Sequence, residues 1–416
     1  NPNQVTVTGV GDNLDDNDQQ STVTVAINAA STADAKYDTL ASSSQTVAVT
    51  TADGDAAGFT IVSTSSSIRV DEVGSSSATF EVRLTSKPLG NVVLNLSGGD
   101  SSEIIYSPNT LSFTPDNWNQ PKIVTVTGVA DEVDDDEQIS TITVEVDSGS
   151  TADSNYTNVT VVPSQTTSVT TADDDVAGYT LSENTVSVTE GGSTASFTVK
   201  LDSQPTGNVV ISVQATDASE ASVVTGSSLT FAPSDWSSPK PVTIQGVNDD
   251  IDDGNISSSI TVSVNSSSTA DSKYKSLSNS PKSLGVTTTD DDTADLVVSS
   301  STVTVGETGS TGTFTIKLQS EPTSGVTVHL SANGSDEFTV SNSLTFDHTN
   351  WNNLQTVTVT GVDDDVADDN QTSTLTVSSS SGDSKYNGLS KDHSVISTDN
   401  DTVGLVLSKS SALVGE

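Results

Sequence analysis

Cysteine and methionine are absent from the 416-residue chain. No disulfide can staple its domains, and no thiolate is available as a nucleophile or soft metal ligand. Basic residues are scarce: 14 Lys and Arg stand against 56 Asp and Glu, for a net charge of −42. Nucleic acid and anionic bilayers are held through Lys and Arg, so neither is a partner this composition fits. Aromatic residues are 4% of the chain and apolar ones 32%, which suits several thinly cored β-domains better than one large core. No run of about 18 apolar residues could cross a membrane as a helix, so no membrane insertion is expected of this segment, and the first residues do not read as a signal peptide. Apolar residues show no helical spacing; stretches such as 195–201 (ASFTVKL) and 259–264 (SITVSV) alternate with period two, as half-buried strands do.

What the chain does contain is a repeat. VTVTGVADEVDDDE at 124–137 recurs as VTVTGVGDNLDDND at 5–18, VTIQGVNDDIDD at 242–253 and VTVTGVDDDVADD at 357–369. The glycines at Gly9, Gly128, Gly246 and Gly361 are one small domain apart. Three full copies are expected at 56–175, 176–292 and 293–401. Residues 1–55 carry the second half of a copy, and 402–416 begin another that stops at Glu416. These end pieces are expected to be completed either by flanking sequence or by another copy of the chain in a fibre.

In the middle copy, seven strands are predicted at 179–188, 195–201, 208–214, 228–231, 242–245, 259–264 and 284–288. Seven short strands between turn signals predict an all-β fold of tandem seven-stranded Greek-key, Ig-like β-sandwich domains arranged as a rod. Between the second and third strands lies a proline turn, Ser203-Gln204-Pro205, matched by Ser86-Lys87-Pro88 and Ser320-Glu321-Pro322. If each strand reverses direction, the first, third and fifth loops and the end of the seventh strand share one pole. The middle copy then delivers Glu190, Asp217, Glu220, Asp249, Asp250, Asp252, Asp253, Asp290, Asp291 and Asp292 there. The first full copy delivers Glu72, Asp100, Glu103, Asp131, Glu132, Asp134, Asp135, Asp136, Asp173, Asp174 and Asp175. The third delivers Glu307, Asp336, Glu337, Asp363, Asp364, Asp365, Asp368, Asp369, Asp399 and Asp401.

Carboxylates packed this closely repel by about 4 kcal/mol per close pair at an effective dielectric near 20, unless cations neutralise them. Hard oxygen donors on flexible loops select Ca²⁺; Mg²⁺ prefers fewer carboxylates, and with no cysteine and only the scattered His329, His348 and His393 a zinc site is not expected. The alternative is that the acids are only solvated turns or a salt-adapted surface, but the outward strand positions are mostly Ser and Thr rather than acidic. Val188-Thr189-Glu190-Gly191-Gly192, the Gly-Val-x-Asp-Asp loop and the closing Asp-x-Asp resemble Calx-beta domains, calcium-binding sandwiches found in tandem in large bacterial surface proteins. The resemblance implies calcium at the pole next to the following domain, held in the middle copy by Glu190, Asp249, Asp250, Asp290 and Asp292, with Asp252 and Asp253 beside them. The matching ligands are Glu72, Asp131, Asp134, Asp135, Asp173 and Asp175 in the first copy, and Glu307, Asp364, Asp365, Asp368, Asp399 and Asp401 in the third. Three departures are visible: Ala367 where Asp134 and Asp252 stand, Gly54 and Asn400 in the closing motif, and Gly254 where Asp136 stands, so ion number is expected to vary between copies.

Catalysis has no support: no histidine recurs beside a Ser or Asp from copy to copy, and no Gly-rich phosphate loop follows a strand. Trp118, Trp236 and Trp351 are expected to plug the cores at the far pole rather than stack on sugars. Asp34, Asp153, Asp271 and Asp383 each precede a tyrosine by three; a structural turn is expected, the other reading being a reach to the preceding pole. The function expected is a calcium-stiffened spacer of an extracellular or cell-surface adhesin or filament, with neighbouring repeats as partners. The other class is a glycan- or protein-binding module of a secreted protein.

Overall fold

Each Val/Thr-alternating segment sends Val, Ile, Leu and Phe inward and Ser and Thr outward, and pairs with neighbours of the same pattern. The computed structural model describes residues 3–63, 67–73, 76–158, 160–341, 343–411 and 414. The chain divides into two compact units, 1–177 with 202–206, and 178–201 with 207–416.

The second unit contains two sandwiches. The middle copy builds a four-stranded sheet in the order Tyr179–Leu181, Thr194–Leu201, Lys240–Gly246, Ala221–Thr225. Against it packs a five-stranded sheet ordered Thr185–Thr189, Lys282–Thr289, Ile256–Val264, Val209–Ala215, Ser228–Phe231. All neighbours are antiparallel except Thr185–Thr189, which runs parallel to Lys282–Thr289. The third copy repeats this order, and so does the one sandwich of the first unit.

Nine segments therefore stand where seven strands are expected, and strand direction explains the difference. The predicted strand 179–188 breaks into two pieces, one in each sheet. The fourth strand is also split: Ala221–Thr225, unforeseen in the sequence, and Ser228–Phe231 run the same way in opposite sheets, with Gly226 at φ +81° between them. Directions still alternate from one strand to the next, so the sorting of loops to poles survives.

Phe197, Val199, Leu201, Val242, Ile244 and Phe231 are among the wholly buried side chains of the middle core, each contributing roughly 1.5–3 kcal/mol by leaving water. Trp118 and Trp351 lie half-buried against the first and third cores, as plugs rather than open platforms. At the far pole Tyr156 and Tyr386 are buried and donate to the carbonyls of Ser86 (2.6 Å) and Ser320 (2.7 Å) in the proline turns. Asp383 accepts from Thr323 N (2.8 Å) and Lys385 N (2.9 Å), and Asp153 likewise from Leu89 N (2.6 Å) and Asn155 N (2.9 Å). These aspartates fasten turns of their own copy, which sets aside their reach to a preceding pole.

Among the described residues of 1–55 the strands are limited to the two-stranded ladder Gln19–Val25 with Gln45–Thr51, joined through the short helical turns Ala29–Ser31 and Ala35–Asp38. The segment 5–8 that opens the repeat motif forms no strand: its counterpart in the middle copy, Lys240–Gly246, pairs with the second and fourth strands, whose counterparts residues 1–55 do not carry. Val5, Val25 and Val47 consequently stay exposed, and Tyr37 is 58% exposed where Tyr156 is 1%. In 402–416 no strand forms among the described residues, and 412, 413, 415 and 416, including Glu416, lie outside them.

Candidate metal centre

The recurrent glycine is where the pole begins. A Cβ on Gly128, Gly246 or Gly361 would lie 2.1, 2.1 or 2.2 Å from the carbonyl oxygen of Asp71, Thr189 or Gly306. Only glycine lets the fifth strand end under the backbone that leads into Glu72, Glu190 and Glu307. Those glutamates are then tied to the seventh strand, their N–H groups donating to Ala172 O (3.1 Å), Thr289 O (3.1 Å) and Thr398 O (3.3 Å). The valine after each glycine, Val129, Val247 or Val362, donates to the carbonyl of Glu103 (2.9 Å), Glu220 (3.0 Å) or Glu337 (2.9 Å). Three loops are thereby joined by main-chain bonds at one pole.

The first closing aspartate locks the fourth element. Asp173 accepts from the amides of Asp135 (3.0 Å) and Asp136 (2.8 Å) on one oxygen and from Asp175 (2.8 Å) on the other. Asp290 does the same with Gly254 (2.6 Å) and Asp292 (2.8 Å), and Asp399 with Asp369 (2.8 Å) and Asp401 (2.7 Å). Asn17, Asp136, Gly254 and Asp369 occupy one loop position with φ between 61° and 78°. Asn, Asp and Gly are the residues that tolerate this left-handed conformation, so Gly254 in place of Asp136 is a conformational equivalent.

Five groups of three carboxylates with ligand oxygens within 4.8 Å of one another result among the described residues. Glu72 meets Asp173 and Asp175, and also Glu103 and Asp135, so it belongs to two groups. In the middle copy Glu190 meets Asp291 and Asp292, while Glu220 meets Asp249 and Asp253. In the third, Glu307 meets Asp399 and Asp401. Glu72, Glu190 and Glu307 are each 1% exposed. Both oxygens of Glu190 and one each of Glu72, Glu103, Glu220 and Asp401 are buried with no hydrogen-bond partner among the described residues.

A buried, unpartnered carboxylate among others resists ionisation. Burial, then the charges of Asp173 and Asp131, pushes Glu72 up to about 7. Burial followed by Asp249 and Asp290 does the same to Glu190, also to about 7. Asp175 rises to about 6 through burial and Glu132. Glu103, Glu220, Asp253, Asp292, Glu307 and Asp401 are raised as well, burial leading in each.

Of the residues expected from sequence, Glu72, Asp135, Asp173, Asp175, Glu190, Asp249, Asp253, Asp292, Glu307, Asp399 and Asp401 enter these groups. Asp131 and Asp364 cap their own loops, accepting from Val133 N (2.8 Å) and Val366 N (2.7 Å), while their charges reach Glu72 and Glu307. Asp250, Asp290, Asp365 and Asp368 stay outside the trios but act electrostatically on Asp292, Glu190, Asp401 and Glu307 respectively. Asp134 and Asp252 spend one oxygen on the segment that opens the next copy, accepting from Ala177 N and Ala294 N at 2.8 Å each. Ala367 stands at the matching position of the third copy and can make no such bond. Glu103, Glu220 and Asp291 join groups without having been singled out as ligands. Strand direction alone brings Glu103 and Glu220 to this pole; their burial, which makes them ligand candidates, follows from the unforeseen strand that starts beside each of them.

All the donors are hard oxygens, with no nitrogen or sulfur in any group. The orphaned buried oxygens fit a divalent cation, and charge count and loop construction favour Ca²⁺ over Mg²⁺.

No family model and no curated protein matches the chain. Solved structures similar to it include PcdhgB3 EC1-4, 11% identical at a TM-score of 0.30 over 87% of this chain and 80% of that one. The calcium binding domain CBD12 of CALX1.1 is 13% identical at a TM-score of 0.26, over 55% of this chain and 99% of that one. CBD12 from CALX1.2 is 12% identical at 0.23, over 55% and 98%.

Proposed function

We propose that this chain is a calcium-stiffened rod or spacer of an extracellular adhesin or surface filament, with Ca²⁺ bound where one repeat meets the next. The observation that carries it is the set of wholly buried glutamates, Glu72, Glu190 and Glu307, each gathered with further carboxylates. A fold does not retain such groups at the same place in three copies by packing alone; an ion supplies the charge that relieves them. Binding stabilises the folded, docked repeats by mass action, since the unfolded chain presents no assembled site.

The acidic loop also touches the following copy, which gives the ion a route to the joint. Asp15 accepts from Ala57 N (2.7 Å) and the Asn13 carbonyl from Lys87 N (2.7 Å) in the first unit. In the second unit Asp252 accepts from Ala294 N (2.8 Å) and the Asp250 carbonyl from Glu321 N (2.6 Å). An ion that orders the loop therefore orders the bonds across the joint. The test is thermal unfolding and small-angle scattering of the chain in calcium and then in chelator. A large fall in melting temperature with loss of an extended shape is expected; unchanged stability and shape would sink the reading.

A further inference from the structure

The joint between the second and third copies already contains a cation of its own. Lys385 lies two residues after Asp383 in the tyrosine turn of the third copy, and its backbone N–H is held by the Asp383 carboxylate at 2.9 Å. From there its ammonium reaches back to the acidic loop of the second copy and pairs with Asp252 Oδ1. The other oxygen of Asp252 is bonded to Ala294 N at 2.8 Å, so both are committed. The ammonium also acts on the pole around it: it lowers the proton affinity of Asp253, one of the Glu220–Asp249–Asp253 group, and is itself held charged by Asp252, Asp290 and Asp253. Among the described residues the joint in the first unit is built differently. Its matching residue is the neutral Asn155, whose amide donates to the main-chain oxygen of Asp15 and leaves the charge of that loop unaltered.

We propose that Lys385 is a tethered cation that takes over part of the metal's role at the second pole, making that joint less dependent on calcium than one built around Asn155. The proposal rests on the calcium reading of the poles. It implies graded joints: where a lysine supplies charge, the loop stays docked as calcium falls, at the cost of weaker calcium binding beside it.

The experiment compares the 416-residue chain with Lys385→Met, which retains the aliphatic length and removes the charge. In chelator and low salt, the variant is expected to melt lower, by roughly 2–5 °C for the step that includes the second and third copies. In a titration with calcium chloride, one class of sites is expected to tighten about 3- to 10-fold, because an ion no longer competes with the ammonium. Unchanged melting in chelator overturns the proposal, and so does an unchanged calcium titration. If the wild-type chain binds no calcium at all, the rod reading fails on that result; the lysine is then judged by melting in chelator alone, where loss of the difference at high sodium chloride confirms a charge effect.

Discussion

Glu190 shows what one buried carboxylate among others costs a fold. It is 1% exposed, neither oxygen has a hydrogen-bond partner among the described residues, and Asp249 and Asp290 oppose its charge. The folded state keeps its proton up to about pH 7, whereas the unfolded chain releases it near 4.5. More protons are then bound by the folded than by the unfolded chain across that window, so metal-free stability is fully present below about 4.5 and is lost as pH rises through 7. The proposed calcium binding would reverse the slope, since an ion takes the deprotonated carboxylate and proton competition fades with rising pH. Melting scans from about pH 5 to 8 should therefore decline in chelator and climb in millimolar calcium; parallel profiles would contradict the assignment. Glu190→Gln removes the charge that must be buried at high pH. In chelator it is expected to stabilise the middle copy by on the order of 1–3 kcal/mol, while abolishing calcium's added stability there, as read by denaturant melts in both conditions.

At the scale of elements, the ligands are only as well placed as the strand ends that carry them. Gly246→Ala forces a methyl against the Thr189 carbonyl, 2.1 Å away, one residue before Glu190. A loss of roughly 2–4 kcal/mol is expected, together with weakened calcium binding at that pole; wild-type values in both would mean the backbone yields without moving the glutamate. His393 tests a different strand. It pairs with Leu375 as Leu284 pairs with Ile260, stacks on Phe314 at 4.0 Å, and burial pushes its pKa below the usual 6.5. That stability is present above pH 6.5 and lost as pH falls below it, so His393→Leu should stabilise the third copy more at about pH 5 than at about pH 8, measured by urea titration. The seven-strand sandwich and its acidic pole were legible because Val/Thr alternation and loop parity are local facts. The strand Ala221–Thr225 was not: its ladder shifts register between Val223 and Thr225, and the chain changes sheets at Gly226, which hides the period-two pattern. The gathering of carboxylates around Glu72, Glu190 and Glu307 was legible; the bonds of Asp134 and Asp252 to the segment that opens the next copy were not, because they depend on which way a loop oxygen points. The position of Asp136 and Gly254 was read for its charge alone, whereas both residues share a left-handed backbone that the sequence pattern does not show.

For the whole molecule, general screening and specific binding must be told apart, because both relieve the repulsion within a chain of net charge −42. General repulsion is screened over a Debye length of about 10 Å at 0.1 M salt, and any electrolyte supplies that screening. Buried oxygens such as those of Glu72 and Glu220 are out of reach of diffuse counterions, and only an ion that sheds water into the group relieves them. Sodium chloride should thus raise the chelator-treated melting temperature gradually and by a few degrees. Calcium at the same ionic strength should act sharply at each pole, adding about 2.7 kcal/mol per site when present at 100 times its dissociation constant. Magnesium, which keeps its waters and tolerates few carboxylates, is expected to track sodium more nearly than calcium. The third copy sharpens the comparison. Its acidic-loop residues Asp363, Asp364 and Asp365 are exposed, and Ala367 has no side-chain oxygen with which to hold the segment after the closing motif. Among the described residues, only the Glu307 group gathers three carboxylates there. A calcium titration read by site-resolved unfolding should accordingly show the first and middle copies gaining more than the third. Equal gains in all three, or a magnesium response equal to calcium's, would mean that screening rather than ion binding holds the poles together.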